Sequence, residues 1–367
     1  MLSPKFILSG GGTGGHIFPA VAIANALKAE YPSCEILFVG ANGRMEMEKV
    51  PAAGYKIIGL NIRGLKRSFS VSNITLPFAV LKAVRTAGKI IADFKPTVAI
   101  GVGGYASGAL LFMAARKGIP CLIQEQNSFA GITNKLLGKR VKTICVAYDG
   151  MEKFFPASKI VVTGNPVRQD ILDAKVSKAE AKKYFDLDEN KTTLLVVGGS
   201  LGAKSINDSI LNALPQFKEA GIQLIWQTGK PFAADAMAGI KNLHVKGFTT
   251  HAFIKEMDVA YAAADLVVSR AGALAVAELS LLGKASILIP YPFASEDHQT
   301  MNAKALADKN AAVLIPDAEA FKRVPEEVLR LVANDVEREA LASSIKDFAR
   351  PGATRAIIDE INKLMKN

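Results

Sequence analysis

Two short apolar runs in this chain each lead into a glycine loop, and that pair constrains the fold more than any other feature. The first is Phe6-Ile7-Leu8-Ser9-Gly10-Gly11-Gly12-Thr13-Gly14-Gly15-His16; the second is Leu194-Leu195-Val196-Val197-Gly198-Gly199-Ser200-Leu201-Gly202-Ala203. A strand that ends in glycines and enters a helix is the entrance of a nucleotide- or phosphate-binding α/β unit. Ligands sit there at the carboxyl ends of the strands, where backbone N–H groups and the helix dipole favour phosphate. Glycine is needed because a Cβ would hold the backbone away from a pyrophosphate. Two entrances predict two such domains facing one deep cleft, and chemistry between two phosphorylated molecules. The first loop also satisfies G-x-G-x-x-G. A dinucleotide fold, however, places an acid at the end of its second strand, about 20 residues on. That strand, residues 35–42, ends without one, which argues against a dehydrogenase.

At 367 residues, half of them hydrophobic, the chain can build two domains with a sizeable core in each. Cys34, Cys121 and Cys145 are widely spaced, with no C-x-x-C. They read as buried thiols in a reducing cytosol rather than a disulfide framework or a metal site. The brief apolar start runs straight into the glycine loop, so it does not read as a signal peptide. The longest uncharged stretch, residues 96–115, contains Gly101, Gly103, Gly104 and Gly108. It predicts strand, loop and helix rather than a membrane span.

Charge is uneven. Residues 1–165 hold 20 Lys and Arg against 8 Asp and Glu, and the remainder 25 against 26. A basic first half points to an anionic partner surface. Nucleic acid would call for aromatics interleaved with the basic residues or a known motif, and neither is present. A membrane fits better. Residues 74–94 predict a helix starting near Pro77, with Val80, Val84, Ala87, Ile91 and Phe94 as its core stripe. Another face carries Phe78, Leu81, Lys82, Arg85 and Lys89 beside Ile74. Apolar and basic residues mixed on one face suit an anionic bilayer; the alternative is long cationic stems covering core edges.

Strands of four to seven apolar residues alternate with helix-length segments. They are expected at 5–9, 35–39, 56–60, 97–101, 120–124, 142–146 and 159–163. The second half should hold strands at 193–197, 222–227, 243–246, 265–268, 285–289 and 311–315. This is the pattern of two parallel, doubly wound sheets. Asn165-Pro166 breaks any regular element, dividing the chain into 1–165 and 166–345. A terminal helix, 346–367, interrupted at Pro351-Gly352, is expected to pack back on the first domain.

In the second half Ser269-Arg270-Ala271-Gly272 follows an apolar strand and leads into a helix reaching about Leu282. Glu278 lies in that helix with Leu274, Leu281 and Leu282 on its face. An unpaired charge in such a setting is costly, so Glu278 is expected to bind ribose hydroxyls while N–H groups around Gly272 and Ala273 face a diphosphate.

Seven motifs occur in order: Gly11-Gly12-Thr13-Gly14-Gly15-His16, Gly103-Gly104-Tyr105, Gln124-Glu125-Gln126-Asn127, Gly164-Asn165-Pro166-Val167-Arg168, Gly198-Gly199-Ser200-Leu201-Gly202-Ala203, Ser269-Arg270-Ala271-Gly272 and Asp297-His298-Gln299. Across essentially the whole chain this resembles the MurG family, the UDP-N-acetylglucosamine:lipid I N-acetylglucosaminyltransferases of bacterial peptidoglycan synthesis. The resemblance implies a GT-B fold of two Rossmann-like domains and an inverting transfer that needs no metal and no cofactor. UDP-N-acetylglucosamine (UDP-GlcNAc) and lipid I would be the substrates and lipid II the product, at the cytoplasmic face of the plasma (inner) membrane. Cell-wall and division proteins are further partners it implies.

Carried onto this sequence, the family's donor site would use Thr13, Gly14, Gly15, Asn127, Arg168, Ser200, Ile254, Ala273, Leu274, Ala275, Val276, Ala277, Glu278 and Gln299. Ile254 would meet uracil through its backbone, and Asn127 and Gln299 would read sugar hydroxyls. Gly12, Thr13, Gly103, Gly104 and Tyr105 would hold the acceptor's pyrophosphate. Ala275 stands where many relatives have a hydroxyl residue, which leaves more of the diphosphate contact to backbone N–H groups. His16 is the preferred general base. The positive end of the helix it opens disfavours imidazolium, and a neutral ring can take the proton of the acceptor's 4-hydroxyl. Its alternative role is to orient phosphate. Glu125 is a second candidate for the base, or an orienter. Competing readings are a UDP-GlcNAc epimerase, another GT-B UDP-sugar transferase, and a non-catalytic UDP-sugar-binding or membrane-scaffold protein.

Overall fold

Each half of the chain builds one fully parallel sheet. The computed structural model describes residues 3–63, 76–167, 169–173 and 175–366. The first sheet comprises β1 (Lys5–Gly10), β2 (Glu35–Ala41), β3 (Lys56–Leu60), β4 (Val98–Gly103), β5 (Cys121–Glu125), β6 (Thr143–Val146) and β7 (Ile160–Val162), in the order β3-β2-β1-β4-β5-β6-β7. The second comprises β8 (Thr193–Val197), β9 (Gln223–Gln227), β10 (Phe248–His251), β11 (Leu266–Ser269), β12 (Ala285–Leu288) and β13 (Val313–Leu314), in the order β10-β9-β8-β11-β12-β13. Both orders reverse once, between β1 and β4 and between β8 and β11. Ligands of doubly wound sheets bind at such switch points, beyond the carboxyl ends of the strands. Both glycine loops begin there.

Side-chain alternation explains why the strands stay buried. Ile7 faces one helical layer while Phe6 and Leu8 face the other, all fully buried. The C-terminal helix Ala353–Lys366 supplies Ile357, Ile358, Ile361 and Leu364 to the core shared with helix Gly14–Glu30. Accordingly one compact unit contains residues 1–167 and 350–367, and the other residues 168–349. The crossover falls just after Ala349 rather than at 346, because the turn Ile345–Phe348 packs on helix Ala273–Leu282 of the second unit. The outgoing and returning chain segments touch at Gly164, whose φ is +87°. A Cβ there would lie 2.4 Å from Arg350 Cβ, so only glycine fits. All three cysteines are buried, and burial pushes the Cys121 thiol up to about 12.

Two expectations fail locally. The strand placed at 243–246 begins at Phe248 instead. Leu243 ends helix Ala233–Leu243, His244 caps it in the left-handed region (φ +48°), and Gly247 (φ +82°) turns the chain into β10. In helix Leu76–Phe94, Val80 is 40% exposed and not part of the core stripe. The buried face is Ala83, Ala87, Ile90 and Ile91, because the helix is rotated slightly from the expected register.

Candidate active site

At the β1/β4 switch point the two glycine loops of the first unit abut. Gly11 N–H donates to Gly103 O at 3.3 Å. Gly104 has φ +91°, and a Cβ on it would fall 2.6 Å from Gly11 O. Thr13 caps helix Gly14–Glu30 with an extended backbone, and the first turn of that helix carries no acid. His16 N and Ile17 N donate back to Thr13 O (3.1 and 3.2 Å), and the N–H groups ahead of them have no intrahelical acceptors, which makes the turn a phosphate-type site. Gly12, Thr13 and Gly15 are exposed there, and Tyr105, 49% exposed, opens the helix after Gly104.

His16 sits in this first turn, half-buried, its Nδ1 3.0 Å from Gly11 O. A carbonyl oxygen only accepts, so in the neutral ring the proton is on Nδ1 and the lone pair on Nε2. The ring lies against Gly103, where a Cβ would be 2.8 Å from Nε2.

Glu125, at the end of β5, is 1% exposed. Its Oε1 accepts from Asn127 N (3.1 Å) and Asn127 Nδ2 (3.2 Å), and its Oε2 from Gly131 N (3.0 Å) and Asn134 Nδ2 (2.9 Å). The carboxylate therefore organises the loop after β5 and fixes the Asn127 side chain. Gln124 and Gln126 tie the same strand end to the domain connection: Gln124 Nε2 donates to Asn165 Oδ1 (2.9 Å) and Asn165 Nδ2 to Gln126 O (3.0 Å).

In the second unit the switch point brings the Gly198–Gly199–Ser200 loop beside the start of helix Ala273–Leu282. Gly272 is the extended N-cap of that helix, again with no acid in the first turn. Of its first residues, Ala273 and Val276 point their side chains into the protein, while Leu274, Ala275 and Ala277 are half-buried. Glu278, 9% exposed, accepts a hydrogen bond on Oε2 from Tyr261 Oη at 3.1 Å. Gln227 links two parts of the site, donating to Gly199 O (3.0 Å) and accepting from Ile254 N (2.9 Å). With its N–H committed, Ile254 would meet a base chiefly through its carbonyl. Gln299 Oε1 accepts from Tyr291 N (2.9 Å), which assigns the oxygen as acceptor and the amide NH2 as donor. Just before it, Glu296 and Asp297 both adopt left-handed backbone (φ +55°), a strained approach to the helix His298–Ala307. Arg168 lies outside the described residues.

The structure thus groups Gly12, Thr13, Gly14, Gly15, His16, Gly103, Gly104, Tyr105, Glu125 and Asn127 on the first unit. It groups Ser200, Ile254, residues 273–278 and Gln299 on the second. Sequence reasoning quoted Arg270 within a motif but gave it no role; its side chain is 13% accessible. It donates to Ile289 O (3.2 Å), Pro290 O (3.0 Å) and Ser205 Oγ (3.2 Å) and pairs with Asp317, locking the loops around β11. Sequence reasoning missed Tyr261 and Gln227, whose partners are distant in sequence.

Two loops of this kind on two doubly wound sheets are the framework of a nucleotide-sugar glycosyltransferase. Residues 6–146 match the glycosyltransferase family 28 N-terminal domain and residues 193–355 its C-terminal domain. A UDP-N-acetylglucosamine–N-acetylmuramyl-(pentapeptide) pyrophosphoryl-undecaprenol N-acetylglucosamine transferase of Parabacteroides distasonis is 53% identical, over 98% of this chain and 98% of its own. The solved MurG of Acinetobacter baumannii superposes with a TM-score of 0.81 at 32% identity, covering 98% of this chain and 99% of its own. The chain belongs to glycosyltransferase family 28, among its MurG-type N-acetylglucosaminyltransferases. A UDP-GlcNAc 2-epimerase from Neisseria meningitidis, 14% identical with a TM-score of 0.67 over 98% of this chain and 100% of its own, shares the fold alone. The epimerase reading is therefore not favoured.

Proposed function

We propose that the chain transfers N-acetylglucosamine from UDP-GlcNAc, with inversion, to the C4 hydroxyl of N-acetylmuramic acid in undecaprenyl-pyrophosphoryl-MurNAc-pentapeptide, forming lipid II. One observation carries this reading: each sheet has a glycine loop and an acid-free helix start at its switch point, and the first has an imidazole in the same turn. The acceptor is assigned to the first unit and the donor to the second. His16 Nε2 takes the hydroxyl proton as the bond from the sugar to UDP breaks. The charge growing on the leaving diphosphate meets the helix N-terminus at Gly272 and Ala273, a preorganised dipole that supports the departure without metal. Glu125 serves as the orienter of Asn127 and its loop. Incubating the protein with labelled UDP-GlcNAc should yield a labelled lipid product only when a polyprenyl-pyrophosphoryl-muramoyl acceptor is present, with or without EDTA. Release of free sugar or of an epimer without acceptor would defeat the reading.

Glu278 binds the ribose hydroxyls, and Tyr261 aims its carboxylate. Tyr261→Phe should raise the donor KM about three- to tenfold, less than the loss of the carboxylate itself because the hydroxyl acts on the donor only by aiming it, with kcat retained. Steady-state rates against UDP-GlcNAc concentration test this.

Attachment to the membrane would be peripheral. No helix among the described residues is long and apolar enough to cross a bilayer. Phe78 and Leu81 are 75% and 48% exposed, with Lys82, Arg85 and Lys89 exposed beside them. Ile132 and Leu136 are likewise exposed on helix Ile132–Gly138, which packs on the same neighbour, helix Tyr105–Arg116. Such a surface favours anionic lipid. Vesicles containing anionic lipid should bind the protein better than neutral ones, with binding falling as salt rises. Equal binding to both would assign these residues to a solvated face.

A further inference from the structure

We propose that Glu46 is a positioning residue for His16, acting through the Gly11–Gly12 peptide group; the proposal rests on the reading of His16 as the base. Glu46 opens helix Glu46–Ala52 and is 1% exposed. Its Oε1 accepts from Ala41 N at 3.0 Å, at the end of β2, and its Oε2 from Gly12 N at 2.9 Å. The carbonyl of that same peptide group, Gly11 O, is the partner of His16 Nδ1 at 3.0 Å. Carboxylate, peptide and imidazole thus form one hydrogen-bonded line. An amide whose N–H donates to a carboxylate is polarised, and its carbonyl becomes a stronger acceptor. That holds the proton on Nδ1 and the lone pair on Nε2. It also sets a negative charge one peptide away from the imidazolium formed when Nε2 takes the acceptor's proton.

The packing around this line is built for it. A Cβ on Gly11 would fall 2.2 Å from Glu46 Oε1, one on Gly40 2.6 Å from Glu46 Cγ, and one on Gly103 2.8 Å from His16 Nε2. Three glycines therefore clear the space that the two side chains occupy. A loop serving phosphate alone would turn the Gly12 N–H to the ligand and keep anions away. Here a buried carboxylate takes that N–H, which weakens the loop as an anion site. The arrangement makes sense if the loop must also hold an imidazole.

Other charged groups around helix Gly14–Glu30 are engaged elsewhere. Lys5, at the foot of β1, pairs with Glu35. On the C-terminal helix Arg355 pairs with Glu30 and Asp359, and Lys363 with Glu360. Glu48 and Lys49 pair with each other on the helix of Glu46, Arg44 before it is exposed, and β4 carries no charge. Glu125, on the neighbouring β5, is enclosed by its four donors.

The test is Glu46→Gln, followed by nitrogen-15 NMR of the histidine rings, of which the protein has four, with the His16 signal assigned by its loss in His16→Gln. Wild-type His16 should be the Nδ1–H tautomer. In E46Q its pKa should fall by about 0.5–1 unit, since a stabilising negative charge is gone, and the Nε2–H tautomer should appear. The acidic limb of kcat/KM should move to lower pH by the same amount, with kcat reduced about tenfold. Unchanged pKa and tautomer in folded E46Q would overturn the proposal. A ring that shifts while the rate profile stays put would uphold the Glu46 link and remove His16 as the base. Should E46Q fail to fold, Glu46→Asp, whose shorter side chain withdraws the carboxylate from Gly12 N, is read in the same way: a lowered His16 pKa upholds the link, and an unchanged pKa and tautomer overturn it.

Discussion

Replacing His16 with alanine should lower kcat by about 10²–10⁴-fold, the usual contribution of a positioned general base. Donor affinity should change little, because the first unit is assigned mainly to the acceptor. The pH profile supplies the sign. A base works only when deprotonated, so wild-type kcat/KM rises with pH through the pKa of His16 in free enzyme. The alanine variant should lose that acidic limb and turn over at a low rate that no longer rises there. If kcat survives and the acceptor KM climbs instead, His16 is a phosphate positioner. The same profile on Glu125→Gln then becomes informative. Its carboxylate accepts four N–H bonds at 2.9–3.2 Å, so its loss should show as a disordered loop and a raised acceptor KM rather than a vanished limb.

Removing the Glu278 carboxylate should produce the second large effect. Hydrogen bonds to a charged group are each worth about 1.5–3 kcal/mol, so losing a pair to the ribose should weaken UDP binding on the order of 10²-fold or more. Glu278→Ala also leaves the buried Tyr261 hydroxyl without this acceptor, which adds a stability cost of about 1–3 kcal/mol. Calorimetric titration with UDP, on protein shown to be folded, separates the two. Undiminished affinity in the folded variant would remove the donor-site assignment.

The double sheet was readable in advance because most strands are short apolar runs closed by a glycine or polar turn, and parallel strands are buried on both faces. β10 was misplaced because Leu243 ends a helix and Val245 lies in the turn after its His244 cap, whereas the strand itself is Phe-Thr-Thr-His, with only Phe248 buried. The glycine loops, His16 and Glu278 were visible because their chemistry is local: a turn, a helix start, an acid on an apolar face. Glu46 was invisible for the opposite reason. The expected acid is indeed missing from the end of β2, yet a carboxylate five residues beyond Ala41 folds back to that strand end and reaches a loop 34 residues earlier. Arg270, Gln227 and Tyr261 likewise act through partners that only the tertiary fold brings near.

The return of the last helix to the first unit has a consequence for biosynthesis. The apolar side of helix Gly14–Glu30 is completed by Ile357, Ile358, Ile361 and Leu364, so the first half of the chain leaves the ribosome without part of its interior. At ordinary translation rates of roughly 5–20 residues per second, the intervening unit takes on the order of 10–40 seconds to make. Throughout that interval the nascent first half must keep a sticky surface away from its neighbours. The second unit, residues 168–349, can therefore complete its core earlier, and the first is sealed only once helix Ala353–Lys366 has been made.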